Sequence, residues 1–185
     1  MNLNYYPYPS QRPLVFGKKC AVATSQPLAT LAGMEMFWAG GNAVDAAIAT
    51  AIALTVVEPT SNGIGSDSFA IVWDGKINAL NGSGKSPQSL RKEDFEHFDL
   101  MPLLGWSSVT VPGAVSTWRK LWEKWGKLPF EQLFEPAIRY ATEGFPVSSV
   151  TSQAWQKAAN IYLPLKDPQF QPFKEVFFPN HKAPQ

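Results

Sequence analysis

The sequence predicts an α+β fold in which helices pack on a mainly antiparallel sheet. Three observations carry that prediction: two apolar helix-length segments between Leu28 and Val57, a β-hairpin signal around Asp74-Gly75, and further helical patterning after Pro112-Gly113. No internal repeat interrupts this order.

Taken in order, Lys19 to Thr24 alternates about Cys20, Val22 and Thr24 and reads as a short strand. Pro27 then stands where a helix accepts proline in its first turn, and Leu28 to Trp38 is expected to be helical. Gly40 and Gly41 end that helix, because glycine takes the left-handed conformation after a last turn without a Cβ clash. Asn42 caps the next helix, and Asp45 at its third position sets a negative charge near the positive end of the helix dipole. The helix body, Ala43 to Val57, is small and apolar on almost every face, which predicts that it is enclosed on all sides. Pro59 and the Thr60 to Gly65 stretch stop it and open a loop.

Phe69 to Trp73 and Lys76 to Leu80 are two β-like runs, and Asp74-Gly75 between them is the two-residue turn that suits a tight hairpin. A glycine-rich loop follows from Asn81 to Pro87, then a charged stretch from Arg91 to Asp99. Beyond Pro112-Gly113, Trp118, Leu121, Trp122 and Trp125 fall at i, i+3, i+4 and i+7 and share one helix face, closed by Gly126. Core packing is the expected use of that tryptophan stripe, with a sugar or aromatic-ligand platform as the alternative. Glu135-Pro136 starts another helix that runs through Glu143 and stops at Gly144 and Pro146. After Lys166 the chain is rich in prolines and aromatics without a period, and no closing element is expected there. Two regions result: an N-terminal arm over 1–18 and a folded unit over 19–185.

The composition excludes several function classes. With 185 residues, 45% hydrophobic and 13% aromatic, the chain can bury one ordinary core. A net charge of +1 gathers neither nucleic acid nor an anionic membrane, so neither is expected as a partner. The single cysteine, Cys20, forms no internal disulfide, and no Cys/His spacing suits a structural zinc site. Met1 to Pro13 lacks the apolar core of a signal peptide, and Ala43 to Val57 is too short to span a membrane; a cytoplasmic location is the expectation.

Several residues invite a chemical reading. Gly82-Ser83-Gly84-Lys85-Ser86 looks like the end of a phosphate-cradling loop, in which backbone amides and a lysine surround phosphate oxygens. The first glycine of that pattern is replaced by Ala79, and Pro87 stands where the following helix should propagate. Gly63-Ile64-Gly65 follows a helix and lacks the third glycine of a dinucleotide fingerprint. Cys20 has neither His97 nor His181 near it in sequence and reads as structural. Asp45, Glu58 and Asp67 bracket the apolar helix, where capping and hydrogen bonding to loop amides account for them more simply than paired acid-base work does. No set of residues here completes a catalytic mechanism.

Pro27-Leu28-Ala29, Gly40-Gly41-Asn42-Ala43-Val44-Asp45-Ala46-Ala47, and Val57-Glu58-Pro59 through Ser61-Asn62-Gly63-Ile64-Gly65 to Phe69 closely resemble the large subunit of γ-glutamyltranspeptidases. Val111-Pro112-Gly113, Trp125-Gly126-Lys127-Leu128-Pro129, and Pro136-Ala137-Ile138 through Glu143 to Ser148 stand in the same order as in that family. The resemblance runs from about Cys20 to Ser148. It implies the N-terminal part of an Ntn-hydrolase αββα sandwich, a precursor that cuts itself before a threonine. The freed threonine amine then serves as base for its own hydroxyl, which attacks a γ-glutamyl amide. No threonine of this chain lies in the family's Thr-Thr-His context, so no catalytic residue is assigned here. The implied partners are the rest of the large subunit, the small subunit that carries the threonine, and a small acyl amide; no cofactor or metal is called for.

Two departures refine the expectation. Where the family carries Arg-Glu-Thr-Ala-Pro, this chain has Ser83-Gly84-Lys85-Ser86-Pro87, so serine replaces the arginine that pairs with the glutamyl α-carboxylate. Serine cannot supply that bidentate charged contact, which counts against glutathione-type substrates. The family's four-glycine run is Gly65-Ser66-Asp67-Ser68, as in the divergent branch called cephalosporin acylase-like. The expectation is an amide hydrolase or acyltransferase for γ-glutamyl or glutaryl groups, with Ser83 and Lys85 lining the acyl pocket. The alternatives are an inert fragment or structural subunit that needs its missing half, and nucleotide binding at Gly82 to Ser86.

Overall fold

The core is built around the apolar helix over 43–57, which is not enclosed on all sides as the sequence predicts: Ala43 and Ala47 are exposed and Ala51 and Leu54 half-buried, so one face stays open. A computed structural model describes residues 15–183, so most of the predicted N-terminal arm, including all of Met1 to Pro13, lies outside the described residues. The first helix, α1 (Pro27–Trp38), and the central helix, α2 (Ala43–Val57), pack against each other. Asn42 and Asp45 form a reciprocal capping box at the start of α2, as the sequence predicts. Ile48, Ala49, Ile52, Ala53 and Val57 are all buried. Gly33 lets the two helices approach closely, since a Cβ there would collide with the Thr50 hydroxyl.

The chain then forms an antiparallel hairpin of β1 (Ser68–Trp73) and β2 (Ile77–Gly82), with Ile71 opposite Ala79 and Trp73 opposite Ile77. That register makes the loop three residues, 74–76, and corrects the two-residue turn expected from Asp74-Gly75: Lys76 belongs to the loop. Gly75, the middle residue of that loop, holds a positive φ of 91°, which glycine adopts without a Cβ clash. The inner face, Ala70, Val72 and Leu80, packs on the core, while α3 (Ala114–Trp125) lies against both strands. A short helical turn, Phe130–Phe134, leads into α4 (Glu135–Glu143), which packs on α2. Two further helices, α5 (Ser149–Tyr162) and α6 (Gln171–Phe177), complete the described chain and replace the irregular end expected beyond Lys166.

The strand expected over Lys19 to Thr24 is absent: this segment pairs with nothing in the described residues. Its alternation is still real, for Cys20, Val22 and Thr24 are half-buried and Ala21 and Ala23 exposed, but a strand needs a neighbour for its backbone groups. The tryptophan stripe packs as expected. Trp118 is buried edge-on to Phe134, the Trp122 indole donates to the Leu128 carbonyl at 2.7 Å, and the Trp125 indole donates to Asp74 at 2.7 Å.

Hydrophobic burial outweighs ion pairing in holding α1, α2 and α4 together. Each fully buried Ile or Val contributes about 2 kcal/mol, whereas the half-exposed Arg139–Glu35 pair at 2.6 Å contributes about 0.5 kcal/mol. Hairpin and α3 are joined by a polar contact that titrates. The Trp125 indole holds the Asp74 carboxyl below the ordinary aspartate range; desolvation opposes it in part, and Asn78, Lys124 and Lys76 add smaller lowering effects. A depressed carboxyl stabilises the fold above its unfolded value and loses that contribution as pH falls through the lower folded value, so this contact should loosen only below about pH 3.9. Carboxyl titration by NMR should show Trp125→Phe raising the Asp74 value toward normal; an unmoved titration would remove the indole as the cause.

Among the described residues no helix is long and apolar enough to cross a membrane.

Candidate functional site

Three stretches distant in sequence close on one another at the end of β2. The Gly113 and Ala114 amides both donate to the Ser66 carbonyl, at 3.0 and 2.9 Å. The Thr110 hydroxyl donates to the Ser83 carbonyl at 3.1 Å, and the Val111 amide donates to the Lys85 carbonyl at 2.9 Å. The loop after the hairpin is thus strapped by its backbone to the segment that leads into α3.

Glycine makes this approach possible. A Cβ on Gly113 would collide with the Gly82 carbonyl, and one on Gly82 would collide with the Thr117 hydroxyl. Gly84 has a φ of 78°, in the left-handed region, and a Cβ there would strike the Val111 carbonyl. Ser83 and Lys85 flank Gly84 at this corner. Ser83 is half-buried, with its amide donating to the Asn81 side chain at 2.9 Å; Lys85 is exposed, and the two ion pairs among the described residues do not involve it.

The phosphate-loop look-alike has no support in this geometry. Gly82 to Ser86 is followed by turn and coil, and the next helical turn is the four-residue Lys92–Phe95, so the loop does not run on into a helix as a phosphate-cradling loop does; the helix start that lies against it is that of α3, where Gly113 meets the Gly82 carbonyl. His97 stacks on Phe98 with ring centroids 3.9 Å apart, His181 sits exposed in a final short turn, and Cys20 is a half-buried free thiol. Among the described residues no group of three or more His, Cys, Asp or Glu side chains could hold a metal ion.

A second junction fixes the first. Asp45, fully buried, accepts from the Asn42 amide at 2.9 Å and also from the Lys127 amide at 3.0 Å and the Leu128 amide at 3.4 Å. Asn42 returns a bond to the Trp125 carbonyl at 2.6 Å. Gly41 has no room for a side chain between Leu128 and Met36. The Gly40 to Ala47 block and the Trp125 to Pro129 block, separate in sequence, are therefore one hydrogen-bonded unit that locks α2 to the end of α3. Sequence reading assigned Asp45 its capping role and missed this second one. It also missed Thr110 and Val111 as the strap for Ser83 and Lys85, although the Val111-Pro112-Gly113 block marked the place.

The family model described as Gamma-glutamyltranspeptidase matches residues 29–185. The glutathione hydrolase-like YwrD proenzyme of Bacillus subtilis (strain 168) is 36% identical over 174 residues, covering 92% of this chain and 32% of that protein. The crystal structure of cephalosporin acylase from Bacillus halodurans superposes with a TM-score of 0.91 at 49% identity, covering 98% of this chain and 35% of that one. The γ-glutamyltranspeptidase structure from Helicobacter pylori gives a TM-score of 0.83 at 29% identity, covering 94% and 50%. The chain spans about a third to a half of the length of these relatives. Its helices on an antiparallel hairpin are part of the α+β Ntn-hydrolase architecture of those structures. Matched from residue 29 onward and folded as these relatives fold, the chain belongs to the γ-glutamyltranspeptidase family.

Proposed function

We propose that this chain supplies the acyl-side wall of a self-processing amide hydrolase or acyltransferase whose nucleophilic threonine lies in the remainder of the protein. The observation that carries the reading is the glycine corner, where Ser83 and Lys85 stand in place of the family's arginine-bearing segment and are strapped to residues 110–111. In this mechanism the threonine hydroxyl, deprotonated by its own amine, attacks the acyl carbonyl; the amide C–N bond breaks and the leaving amine takes that proton, and water or an acceptor amine then releases the acyl group from the ester. Ser83 and Lys85 bind the far end of the acyl chain, Ser83 as a neutral hydrogen-bonding group and Lys85 as a single point charge. That pairing suits a glutaryl carboxylate at least as well as the α-amino acid end of a γ-glutamyl group.

The hairpin supports the need for a partner half. Its outer face carries Phe69, Ile71, Trp73 and Ile77, exposed by 65%, 79%, 71% and 73%. A sheet that faced water would alternate apolar and polar residues; this one is apolar on both faces, as in a sheet that packs against a second sheet. The remainder of the large subunit and the small subunit are the proposed cover. Were the chain instead an inert structural piece, the corner would need no chemistry, and Ser83 would tolerate any replacement.

In the full-length protein, Ser83→Arg should raise kcat/KM on γ-glutamyl-p-nitroanilide about tenfold, the worth of one charge-assisted contact of roughly 1.4 kcal/mol. No gain would remove Ser83 from the acyl pocket.

A further inference from the structure

A cavity of about 250 Å³, whose lining reaches Val109 one residue before the Thr110 strap, is not used by the acyl reading. Leu104, Trp106 and Val109 wall one side, and Tyr162, Phe170 and Phe173 from α5 and the start of α6 wall the other. No acidic or basic side chain lines it. Its amide group is already committed: the Gln169 side-chain oxygen accepts from the Trp106 amide at 3.1 Å, and its nitrogen donates to Asp167 at 2.9 Å. Gly105 has a φ of 92°, and a Cβ there would lie 2.7 Å from that same Gln169 oxygen, so the loop is shaped to receive this one contact. The rings opposite are in tilted contact, with Tyr162 and Phe173 at 4.6 Å and Phe173 and Phe177 at 4.7 Å.

The cavity is joined to the corner through the backbone. Val109, in its wall, precedes Thr110, which bonds Ser83, and Val111, which bonds Lys85. One edge of the cavity, at Val109, is therefore one residue from the strap that holds Ser83. Trp106, Leu104 and Val109 are exposed by 70%, 36% and 44%, so the cavity is open rather than sealed.

We infer that this cavity is a specificity pocket for an uncharged, ring-sized apolar group of the amide substrate, with Gln169 positioning the Trp106 loop. The inference rests on the amide-hydrolase reading above and adds the class of substrate to it. The volume lies just below the roughly 300 Å³ at which ligand pockets begin, which leaves room for one ring or a fused pair. Aromatic walls without a charged side chain, and a Gln169 amide already paired, favour an apolar ring over a charged or strongly hydrated group.

The test uses the full-length protein and γ-glutamyl and glutaryl amides of methylamine, aniline and 2-naphthylamine. The wild-type ratio of kcat/KM for naphthylamide over methylamide should exceed ten. Trp106→Ala, at an exposed position, and Val109→Asp should each lower that ratio about tenfold, mainly through KM. Ratios unchanged in both variants while all amides are still hydrolysed would overturn the pocket and leave the amide-hydrolase reading standing. If the wild type cleaves none of the amides, that reading fails by itself, and binding of free 2-naphthylamine, followed by its fluorescence, decides the pocket. Binding at least tenfold weaker in Val109→Asp supports it, and equal binding overturns it.

Discussion

Asp45→Ala should be the most destabilising single change in α2, costing at least about 3 kcal/mol. The substitution orphans three partly buried amide donors, on Asn42, Lys127 and Leu128, and each left unpaired costs about 1 kcal/mol, the low end for a buried group. It also deletes one arm of the capping box, worth about 1 kcal/mol. Asp45→Asn keeps one oxygen acceptor and should lose about half as much. Urea unfolding of the full-length protein measures both; a loss below about 1 kcal/mol for the alanine variant would mean that α2 and the 125–128 turn are held by packing alone.

Gly113→Ala carries the largest expected effect on the site itself. The added methyl meets the Gly82 carbonyl and lies 2.9 Å from the Gly82 carbonyl carbon and 3.2 Å from the Gly84 amide nitrogen. These are backbone atoms, so relief requires the 110–113 strap to move away from 82–85 rather than a side chain to rotate. Overpacking of this kind costs about 1–3 kcal/mol, here at the upper end. A displacement near 1 Å at a substrate-positioning loop can cost about a hundredfold in turnover. Gly63→Ala is the matched control, because nothing lies within 4 Å of a Cβ there and its φ is negative or extended. Kinetics well below the unfolding temperature should show a loss of about a hundredfold in kcat/KM for Gly113→Ala and none for Gly63→Ala. Equal behaviour of the two would mean that the corner does not position substrate.

Much of the fold was legible because glycine, proline and asparagine punctuate it. Pro27, Gly40, Asn42, Pro59, Gly126 and Gly144 each sit at the element boundary that their backbone chemistry predicts. The burial of most of α2 followed from its apolar sequence, but its small alanines do not need full cover, and the face through Ala43 and Ala47 is open. What failed did so for want of partners that sequence does not show. Lys19 to Thr24 has strand alternation but no paired neighbour, and the hairpin turn is one residue longer because the ladder closes at Trp73 and Ile77. α6 is seven residues long with a proline in its first turn, too short to display a helical period, and the aromatic cavity it helps build was invisible for the same reason.

The site was legible only in outline. Ser83 and Lys85 could be picked out by their place in a motif, and the structure puts them on either side of a left-handed Gly84. The strap from Thr110 and Val111 spans 27 and 26 residues in sequence, and the Asp45 reach to Lys127 spans 82; both depend on how the chain closes. Nothing in local pattern encodes such closure.

The central claim is that this chain is one part of a self-processing hydrolase whose nucleophile is a new N-terminal threonine. Intact-mass measurement of the purified full-length protein, with N-terminal sequencing of each species, tests it most directly. The account predicts two polypeptides, the larger containing residues 29–185 and the smaller beginning with threonine. A single uncleaved polypeptide that nonetheless hydrolyses the acyl amides would contradict it.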